Sequence, residues 1–364
     1  MDKIYVSIII PAHNAEATIS ETIVSALNQT LKEIEVIVID DGSTDQTVAI
    51  CQQFCKDDRF RIICKDNGGV SFARNQGIRA ARGEYIGFID SDDTVAKNMY
   101  ERMYTAGKRN EADVCICDIN RVRDASIQHY TDIVRGGVFS KAQIEQEIFP
   151  IQLGCIDEMG EIIRIDWCVL RRIYRNEFLK KNNIWFNERL SNSEDCLFVF
   201  QTTVCATRIT YLKNEFLYNN INNANSLTKH YLPDYWEQRK RLINEVYTHS
   251  MDQMSAVRPD MMSLFIFRCV RASFINIALG FNTNGKIESY LAFRRIIFDE
   301  QVAIAVKNLP KYHYSFEWTR HIGWIKNRKV WAVYSYYMDV YGCSKLHHNM
   351  RKLIKALSRI IGKW

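Results

Sequence analysis

The sequence predicts an α/β fold, an open sheet covered by helices on both faces, followed by a smaller, mostly helical C-terminal domain. In the first hundred residues, short β-branched segments alternate with segments whose apolar residues recur at helical spacing. Segments such as residues 37–39 are apolar on both faces, which is typical of sheet strands buried between helices. Beyond about residue 225, only long helical periodicity remains.

The composition is that of a folded chain of about two domains. The 364 residues are 47% hydrophobic, 12% aromatic and 25% charged, which excludes a disordered, collagen-like or coiled-coil protein. We predict an α/β domain over residues 1–228, a helical domain over residues 229–344 and a further helix over residues 345–364. The 11 cysteines are scattered, which predicts buried thiols in a reducing cytosol rather than disulfides or a zinc site.

The individual elements follow from the same periodicities. We predict strands over residues 5–10, 34–40, 60–64 and 85–90, and helices over residues 16–29, 70–82, 235–254, 261–279 and 287–307. The most apolar longer window, residues 262–280, contains Arg268 and Arg271, and each would cost roughly 2.5–3.5 kcal/mol at a bilayer centre. We therefore expect no membrane-spanning helix in this window.

Polar residues follow each of the four predicted strands, and they are the candidate site. In open α/β sheets, ligands bind beyond the carboxyl ends of the strands. The residues that we single out there are Pro11, His13, Asn14, Asp40, Asn67, Asp90, Asp92 and Asp93. Arg74 is a nearby cation on the helix that follows the third strand. It either contacts the ligand or ties its helix to Asp40 or Asp41.

Three carboxylates, those of Asp90, Asp92 and Asp93, come directly after the apolar residues 85–89 of the fourth strand. Clustered acids repel one another unless a cation lies among them, and their hard oxygen ligands favour Mn²⁺ or Mg²⁺. One interpretation is therefore a metal ion that bridges the protein and a diphosphate. The alternative is a solvated acidic turn with a helix cap.

Asp40 carries a second pair of interpretations. Gly42 makes a turn, and Ser43 or Asp45 can cap the next helix, so these residues need no ligand. Asp40, at the end of its strand, is not explained in this way. It lies where a nucleotide base or ribose would present N–H or O–H donors.

Five segments occur in the order and spacing of a known enzyme family, at residues 6–14, 40–45, 67–75, 83–86 and 90–93. Together they resemble the signature of glycosyltransferase family 2, and the resemblance extends over about residues 4–225. It implies the GT-A fold, a Rossmann-like open mixed sheet with helices on both faces. It also implies an inverting enzyme that uses a nucleotide-sugar donor.

A sixth segment, residues 191–198, is similar to the acidic pair that this family has before a buried helix. By this resemblance, Asp195 is the catalytic base. Its predicted place in the first turn of a helix capped by Ser191, Asn192 or Ser193 suits an ionised carboxylate. Without the other segments, two acids at a helix start would indicate only complements of the helix dipole.

The resemblance implies a metal-dependent hexosyltransferase. It moves a sugar from a nucleotide-diphosphate donor, a UDP-sugar, to a hydroxyl of a glycan or lipid-linked glycan, as in cell-surface polysaccharide synthesis. Asp92 and Asp93 would hold Mn²⁺ or Mg²⁺, with Asp90 in support. Asp40 and residues 11–14 would hold the uridine.

The sequence departs from the family pattern at two places. His13 stands where Tyr is frequent, and it either packs on the base or is an ordinary loop histidine. Residues 219–226 lack the basic residue expected in a loop that closes on the diphosphate. Trp167, in the region that faces the acceptor in similar enzymes, is either a sugar platform or a core residue.

Two other functions remain open at this point. A sugar nucleotidyltransferase on a similar sheet normally requires a Gly-rich basic loop after the first strand, and residues 11–14 are neither. A non-catalytic carbohydrate-binding or scaffold protein could keep the same fold. The presence of Asp195 together with the acidic cluster argues against it.

Positive charge is concentrated at the C-terminus, where residues 318–364 carry ten Lys and Arg against one acid. Residues 345–364 combine an apolar stripe at spacings of three and four with an otherwise basic surface, which is typical of a basic amphipathic helix. We predict a cytoplasmic protein whose last helix binds an anionic membrane surface. The alternative is a helix docked on the protein's own core. A sugar-transfer site leaves nucleic acid no role as a partner.

Overall fold

The computed structural model describes residues 3–123, 126–157, 159–163, 167–221, 231–253, 258–310 and 314–341. The chain divides into two compact units. The first comprises Met1–Gln152, Arg164–Asn223 and Glu245–Ala256, and the second comprises Leu153–Ile163, Ala224–Asn244 and Val257–Trp364. This division is discontinuous, whereas the predicted one is continuous, with boundaries after residues 228 and 344. The predicted helix 345–364 lies outside the described residues. The same is true of residues 222–226 in the loop 219–226 that was expected to close on the diphosphate.

The first unit is built on a mixed sheet. The strands of the chain are β1 (Val6–Ala12), β2 (Ile34–Asp41), β3 (Phe60–Lys65), β4 (Tyr85–Phe88), β5 (Thr94–Val95), β6 (Val114–Arg123), β7 (Ser126–Tyr130), β8 (Gly137–Ser140), β9 (Cys155–Ile156), β10 (Ile162–Ile163), β11 (Arg172–Arg175) and β12 (Arg208–Ile221). The order in the large sheet is β3-β2-β1-β4-β11-β6-β12-β5, with β7 beside β6 and β8 beside β12. In the second unit, β9 and β10 form a separate two-stranded sheet.

The parallel part of the large sheet positions the candidate site. β1 pairs in parallel with β2 and β4, and β2 pairs in parallel with β3. Every residue of β1 and β2 is buried, as their apolar sequences predict. β11 runs antiparallel to both β4 and β6, which makes the sheet mixed. The predicted open α/β sheet is therefore confirmed.

Helices lie between the strands along the chain, and the first three of them alternate with the parallel strands β1 to β4. They are α1 (Ile19–Leu27), α2 (Thr47–Gln52), α3 (Val70–Ala80), α4 (Met99–Arg109), α5 (Lys141–Gln143), α6 (Phe149–Leu153), α7 (Asn176–Lys181) and α8 (Glu194–Cys205), with a π-helical segment, Ile144–Ile148, between α5 and α6. α3 approaches β1 closely at Gly77, where a Cβ atom would overlap the side chain of Ile9. This close approach holds the beginning of α3 near the end of the sheet.

The remaining helices are α9 (Tyr235–Gln253), α10 (Pro259–Leu279), α11 (Phe281–Ile297), α12 (Glu300–Asn308), α13 (Phe316–Lys326) and α14 (Val330–Tyr341). The single helix predicted over residues 287–307 is wrong, because the chain forms two helices that meet at Phe298 and Asp299. Asp299 caps α12 by accepting a 3.0 Å hydrogen bond from the backbone N–H of Gln301.

Within the described residues, α10 is long and apolar enough by composition to cross a membrane, with a mean hydropathy of 1.5 over its best window. However, 67% of that window is buried inside the fold. Arg268 donates a 3.1 Å hydrogen bond to the carbonyl of Leu153, and Arg271 lies 4.8 Å from the ring centre of Trp318. This is the packing of a core helix of the second unit.

Cysteine burial differs from the prediction. In the part of the chain that the structure describes, the ten cysteines are free thiols, and four of them are buried: Cys51, Cys115, Cys117 and Cys269. Cys55 and Cys64 are exposed, so the prediction of buried thiols is wrong for these two. Cys64 lies directly opposite Asp40 on the neighbouring strand.

Candidate active site

The candidate site lies at the edge of the sheet where the parallel strands end. The first four strands end at Ala12, Asp41, Lys65 and Phe88. Because these strands are parallel, their carboxyl ends meet at one edge. Pro11 is a buried residue of β1, one position before the strand ends. Asp90 follows β4 in the loop, whereas the predicted strand included it.

Side chains join three loops at this edge. His13 Nδ1 lies 2.9 Å from the carbonyl oxygen of Asp41, and Asn67 Nδ2 lies 3.3 Å from the His13 ring. Asn14 Oδ1 accepts a 2.8 Å hydrogen bond from the backbone N–H of Thr44. Asn14 has a φ of 48°, a left-handed conformation that Asn tolerates better than most residues. His13, Asn14 and Asn67 therefore lie together, as the sequence predicts from their positions after parallel strands.

Asp40 and Asp41 both end β2 but have different surroundings. Asp41 accepts 2.8 Å hydrogen bonds from the backbone N–H groups of Gly68 and Gly69, so it holds the neighbouring loop. Asp40 is buried, and its Oδ2 accepts a 3.3 Å bond from the backbone N–H of Ser43. Within the described residues, Asp40 Oδ1 has no hydrogen-bond partner. Because a buried acceptor without a donor costs free energy, Asp40 fits a ligand that supplies an N–H or O–H group.

Asp93 is the buried member of the acidic cluster. Its Oδ1 accepts a 2.7 Å hydrogen bond from the backbone N–H of Ile221, and its Oδ2 accepts a 2.7 Å bond from the Tyr218 hydroxyl. Asn220 Nδ2 lies 3.1 Å from the same Oδ2. Both carboxylate oxygens are thus bonded to the end of β12.

The surroundings of Asp93 raise its pKa to about 7. Burial is the main cause, followed by the charge of Asp90 and, more weakly, that of Asp92; the hydrogen bonds of Ile221 and Tyr218 oppose the shift. A bound cation would relieve this repulsion.

The fit of a metal ion to this cluster can be judged from its donors. Among the described side chains, no group of three or more His, Cys, Asp and Glu residues is arranged as a metal site. Asp93 is engaged by donors of the protein itself, whereas a metal ligand must direct an oxygen at the ion. Asp92 is only partly buried, and its hard carboxylate oxygens are of the type that Mn²⁺ and Mg²⁺ prefer.

Arg74 joins the acidic cluster to the start of α8. Its Nη2 donates to Asp90 Oδ1 at 3.0 Å, and its Nη1 donates to Glu194 Oε1 at 2.9 Å. Burial opposes the charge of this guanidinium, but the carboxylates of Asp90, Glu194 and Asp195 outweigh burial and raise the pKa of Arg74 above its ordinary value. Arg74 therefore ties α3 to these acids, and the alternative of a tie to the end of β2 is wrong.

Asp195 lies in the first turn of α8 and Ser193 is at its N-cap position, both as predicted, but the expected side-chain cap bond is not formed. Ser193 occupies the N-cap position with a φ of 72°, and its hydroxyl donates to Asn192 Oδ1 instead of accepting from the helix. Asp195 Oδ1 accepts a 2.7 Å hydrogen bond from the backbone N–H of Cys196. This bond and the helix dipole both favour the ionised carboxylate.

Trp167 does not form a platform at the site. It is buried, and its ring stacks on that of Phe200 with the ring centres 6.2 Å apart. Trp167 therefore packs in the core of the first unit, and the alternative of an exposed sugar platform is wrong.

Sequence reasoning did not single out Tyr218 or Asn220 as site residues, and it gave Glu194 no partner. Tyr218 is fully buried, and its pKa is raised well above the ordinary value, first by burial and then by the charges of Asp93 and Asp90. Alternation of apolar and polar residues in part of β12 could have indicated a strand. It could not have indicated where that strand ends, since 125 residues separate Tyr218 from Asp93.

Comparison with known proteins assigns the fold and the family. Residues 7–181 match the family described as glycosyl transferase family 2. EpsJ of Bacillus subtilis (strain 168), an uncharacterized glycosyltransferase, is 35% identical over 226 residues, which cover 62% of this chain and 63% of EpsJ. The match to this chain thus spans less than two thirds of the length of EpsJ.

Solved structures share the fold at low sequence identity. Staphylococcus aureus TarS 1–349 in complex with UDP-GlcNAc has a TM-score of 0.68 at 22% identity, with 93% of this chain and 91% of that chain covered. The mannosyltransferase PcManGT from Pyrobaculum calidifontis, in complex with GDP-Man and Mn²⁺, has a TM-score of 0.51 at 13% identity, with 91% and 87% covered. These likenesses agree with the GT-A fold that the sequence predicts. The family predicted from the motifs is confirmed over residues 7–181, which match glycosyltransferase family 2.

Proposed function

We propose that this chain is an inverting glycosyltransferase that moves a sugar from a UDP-sugar to a hydroxyl of a glycan or lipid-linked glycan, as in cell-surface polysaccharide synthesis. The observation that carries the proposal is the double ion pair of Arg74 with Asp90 and Glu194. It holds the acidic cluster beside the first turn of α8, which contains Asp195. The acidic cluster, proposed to bind the donor, and Asp195, the proposed base, are thus held within one site. Transfer between two substrates requires both groups in one place.

The donor part of the proposal rests on the edge formed by β1, β2 and β3. TarS, which shares the fold, is a protein solved with UDP-GlcNAc, and this supports a uridine nucleotide here. An N–H of the base or an O–H of the ribose would satisfy the buried Oδ1 of Asp40. The residues that we assign to the nucleotide are Pro11, His13, Asn14, Asp40 and Asn67.

Asp195 is the proposed general base. Its carboxylate accepts the proton of the acceptor hydroxyl while that oxygen attacks the anomeric carbon and the bond from this carbon to the diphosphate breaks. A single displacement inverts the anomeric centre, so no covalent intermediate and no second, nucleophilic carboxylate are needed. The ion pair between Arg74 and Glu194 positions the helix turn on which Asp195 lies.

The proposed metal ligand is Asp92, with Asp90 in support, and the ion is Mn²⁺ or Mg²⁺. When bound, such an ion neutralises charge on the leaving diphosphate. Asp93 holds the end of β12 through Tyr218 and Ile221. The ligand role predicted for Asp93 would require these bonds to break, so we assign it the positioning role instead.

A panel of nucleotide sugars tests the proposal. At 100 times its dissociation constant, the correct donor raises the free energy of unfolding by about 2.7 kcal/mol, and the melting temperature rises with it. Release of UDP and the anomeric configuration of the product are then measured with glycan acceptors. A retained configuration, or stabilisation by other nucleotide sugars alone, would contradict the proposal. Pyrophosphate release from UTP and a sugar phosphate would instead identify a nucleotidyltransferase, and donor binding without transfer a binding protein.

We also propose that the protein works at the cytoplasmic face of a membrane, where a lipid-linked acceptor is met. The support is the sequence of residues 345–364, which combines six Lys and Arg, no acid and an apolar stripe. Deleting these residues should weaken binding of the protein to anionic vesicles while UDP-sugar turnover on a soluble acceptor persists. Unchanged vesicle binding, or global unfolding of the truncated chain, would return this segment to the core.

A further inference from the structure

Four large apolar side chains of the second unit are exposed on neighbouring helices. They are Ile287, Leu291 and Phe298 on or just after α11, and Trp331 on α14, with exposed fractions of 75%, 44%, 43% and 67%. We call these four residues, together with Arg294 and Arg328, the outer patch. Single exposed apolar residues are ordinary, but a contiguous group of them marks an interaction site.

Ile287 and Leu291 of α11 and Phe298 at its C-cap lie on one face. Steps of four and seven residues separate Ile287, Leu291 and Phe298, which places them within about 40° of one another around a helix. The opposite face of α11 is in the core, where Phe293 and Ile296 are buried. The exposed stripe is therefore the side of α11 that the second unit leaves uncovered.

Ring contacts connect this stripe to α14. Trp331 lies 6.1 Å from the ring centre of Tyr290 and stacks on Tyr334 at 5.3 Å. The guanidinium of Arg328 lies 4.7 Å from the ring centre of Phe298. Tyr290, next to Leu291 in the chain, thus connects α11 to the beginning of α14, and Phe298 contacts Arg328 just before α14.

The patch is bordered by positive charge. Residues 286–298 and 326–331 carry six Lys and Arg against a single acid, Glu288. The guanidinium of Arg294 lies 5.0 Å from the ring centre of Phe298, on the same aromatic ring as Arg328. An apolar centre with a basic border complements a surface that is apolar inside and negatively charged outside.

We propose that the outer patch docks the protein onto an anionic lipid membrane. Trp and Phe enter the headgroup region of a bilayer, and aliphatic side chains such as Ile287 and Leu291 enter its hydrocarbon boundary. Each Lys or Arg near an anionic leaflet contributes about 1 kcal/mol. The proposal rests on the membrane location proposed above, to which the outer patch would add a second contact, and it concerns a surface that the proposed sugar transfer does not use.

The positive charge of the outer patch favours an anionic membrane over the other possible occupants of this surface. Residues 345–364 carry six basic residues and no acid, so this segment would meet a surface of its own sign. A second copy that presents the same patch would be repelled in the same way. A nucleic acid would match the charge but would leave Ile287 and Leu291 without an apolar partner.

The test is co-sedimentation of the full chain with vesicles of phosphatidylcholine alone and of phosphatidylcholine mixed with phosphatidylglycerol. We expect binding to the anionic vesicles only, and the double substitution Leu291→Ser with Trp331→Ser should weaken it by about tenfold or more, since both apolar insertions are lost. Phe316→Ser is the matched control, because Phe316 is an aromatic residue of the same unit, 81% exposed and outside the patch. It should bind as the parent does.

A second double variant, Arg294→Gln with Arg328→Gln, should lower binding and reduce its dependence on salt. Equal binding by the parent and the Leu291/Trp331 variant would overturn the proposal, and so would equal binding to both kinds of vesicle. Concentration-dependent dimerisation that the same variant abolishes, or binding to an RNA oligomer that outcompetes the vesicles, would identify a different occupant. Turnover of a soluble donor and acceptor, measured on each variant, separates failure of this proposal from failure of the proposed function.

Discussion

Two edges of the same parallel sheet hold buried carboxylates in opposite conditions. At the amino end of β2, Glu35 accepts a 2.6 Å hydrogen bond from the Ser7 hydroxyl and a 2.7 Å bond from the backbone N–H of Arg82. Burial pushes the pKa of Glu35 up, but these bonds and the charges of Arg82 and Arg61 outweigh it, so the pKa is lowered. At the carboxyl end, burial and neighbouring acids raise the pKa of Asp93 to about 7.

This difference distinguishes Glu35, which stabilises the fold, from the carboxylates at the carboxyl end of the strands, whose hydrogen bonds or charges the protein leaves incomplete. Glu35 has its hydrogen-bond partners within the protein, and no ligand is needed to complete them. At the other edge, Asp40 Oδ1 lacks a partner among the described residues, and the acids around Asp90 repel one another. Shifted pKa values and incomplete hydrogen bonding cluster at functional sites, because a substrate or cation supplies what the protein leaves out.

A broad basic groove lies at the amino edge, and its charges show the same difference between the two edges. It is lined by residues such as Arg82 and Lys108. Arg82 pairs with Glu35 at 2.9 Å, and Lys108 pairs with Glu84 at 2.5 Å. The charges of these two residues are therefore already matched within the protein. The chemistry of the two edges thus identifies the functional one.

The largest expected effect is that of Asp195→Asn. The substitution preserves the shape of the side chain but removes its ability to take a proton, so transfer should fall by about 10²–10⁴-fold. Calorimetric UDP-sugar affinity should stay within a few-fold of the parent. Asp58→Asn, at an exposed acid away from the carboxyl edge, is the control and should leave both unchanged. Near-parental turnover by the Asp195 variant would place the base elsewhere, with Glu194 the first substitute.

Arg74→Gln should follow, because it leaves Asp90 and Glu194 without their shared cation. We expect the free energy of unfolding to fall by about 1.5–3 kcal/mol and kcat to fall by up to roughly 10²-fold as the base shifts. Urea unfolding and steady-state kinetics measure the two effects. Arg79→Gln is the matched control, since Arg79 lies on the exposed side of the same helix. Equal losses in both variants would remove the bridging role of Arg74.

Asp92→Asn should abolish the gain in UDP affinity that Mn²⁺ provides, lowering metal-dependent affinity by at least roughly tenfold. Asp93→Asn should retain part of that gain, because its carboxylate is bonded to Tyr218 and Ile221. Calorimetry with UDP, with and without Mn²⁺, distinguishes the two. If UDP binds the parent equally well without metal, the acidic cluster is only a turn.

The smallest effect is expected at the other edge, from Glu35→Gln. The folded-state pKa of Glu35 is lowered, so its stabilising contribution is present above the unfolded value near 4.5 and is lost as the pH falls through the folded value. The Gln variant should therefore be less stable than the parent at neutral pH, by about 1–2 kcal/mol. This gap should close as the solution is acidified. Urea unfolding along a pH series measures it, and a gap that is independent of pH would show that Glu35 acts through packing alone.

Local patterns predicted a large part of the fold and of the site. Apolar runs placed β1 to β4 within one or two residues of their observed ends, and the candidate residues lie at these ends or in the segments that follow them. The position of Asp195 in the first turn of α8 also followed from sequence. Predictions failed where a local pattern had several structural solutions, as at the break of α11 and α12 and at the cap formed around Ser193.

The sequence by itself determined which residue types gather at the carboxyl edge, since parallel strands and their loops are encoded by short-range periodicity. Only the tertiary structure decided which of these residues hold the fold together and which are left for a ligand. Asp41 closes a loop while Asp40 is left for a ligand. Arg74 reaches Glu194 across 120 residues, and Tyr218 reaches Asp93 across 125. Contacts at such separations depend on where the strands and helices pack in space, and no local periodicity records that arrangement.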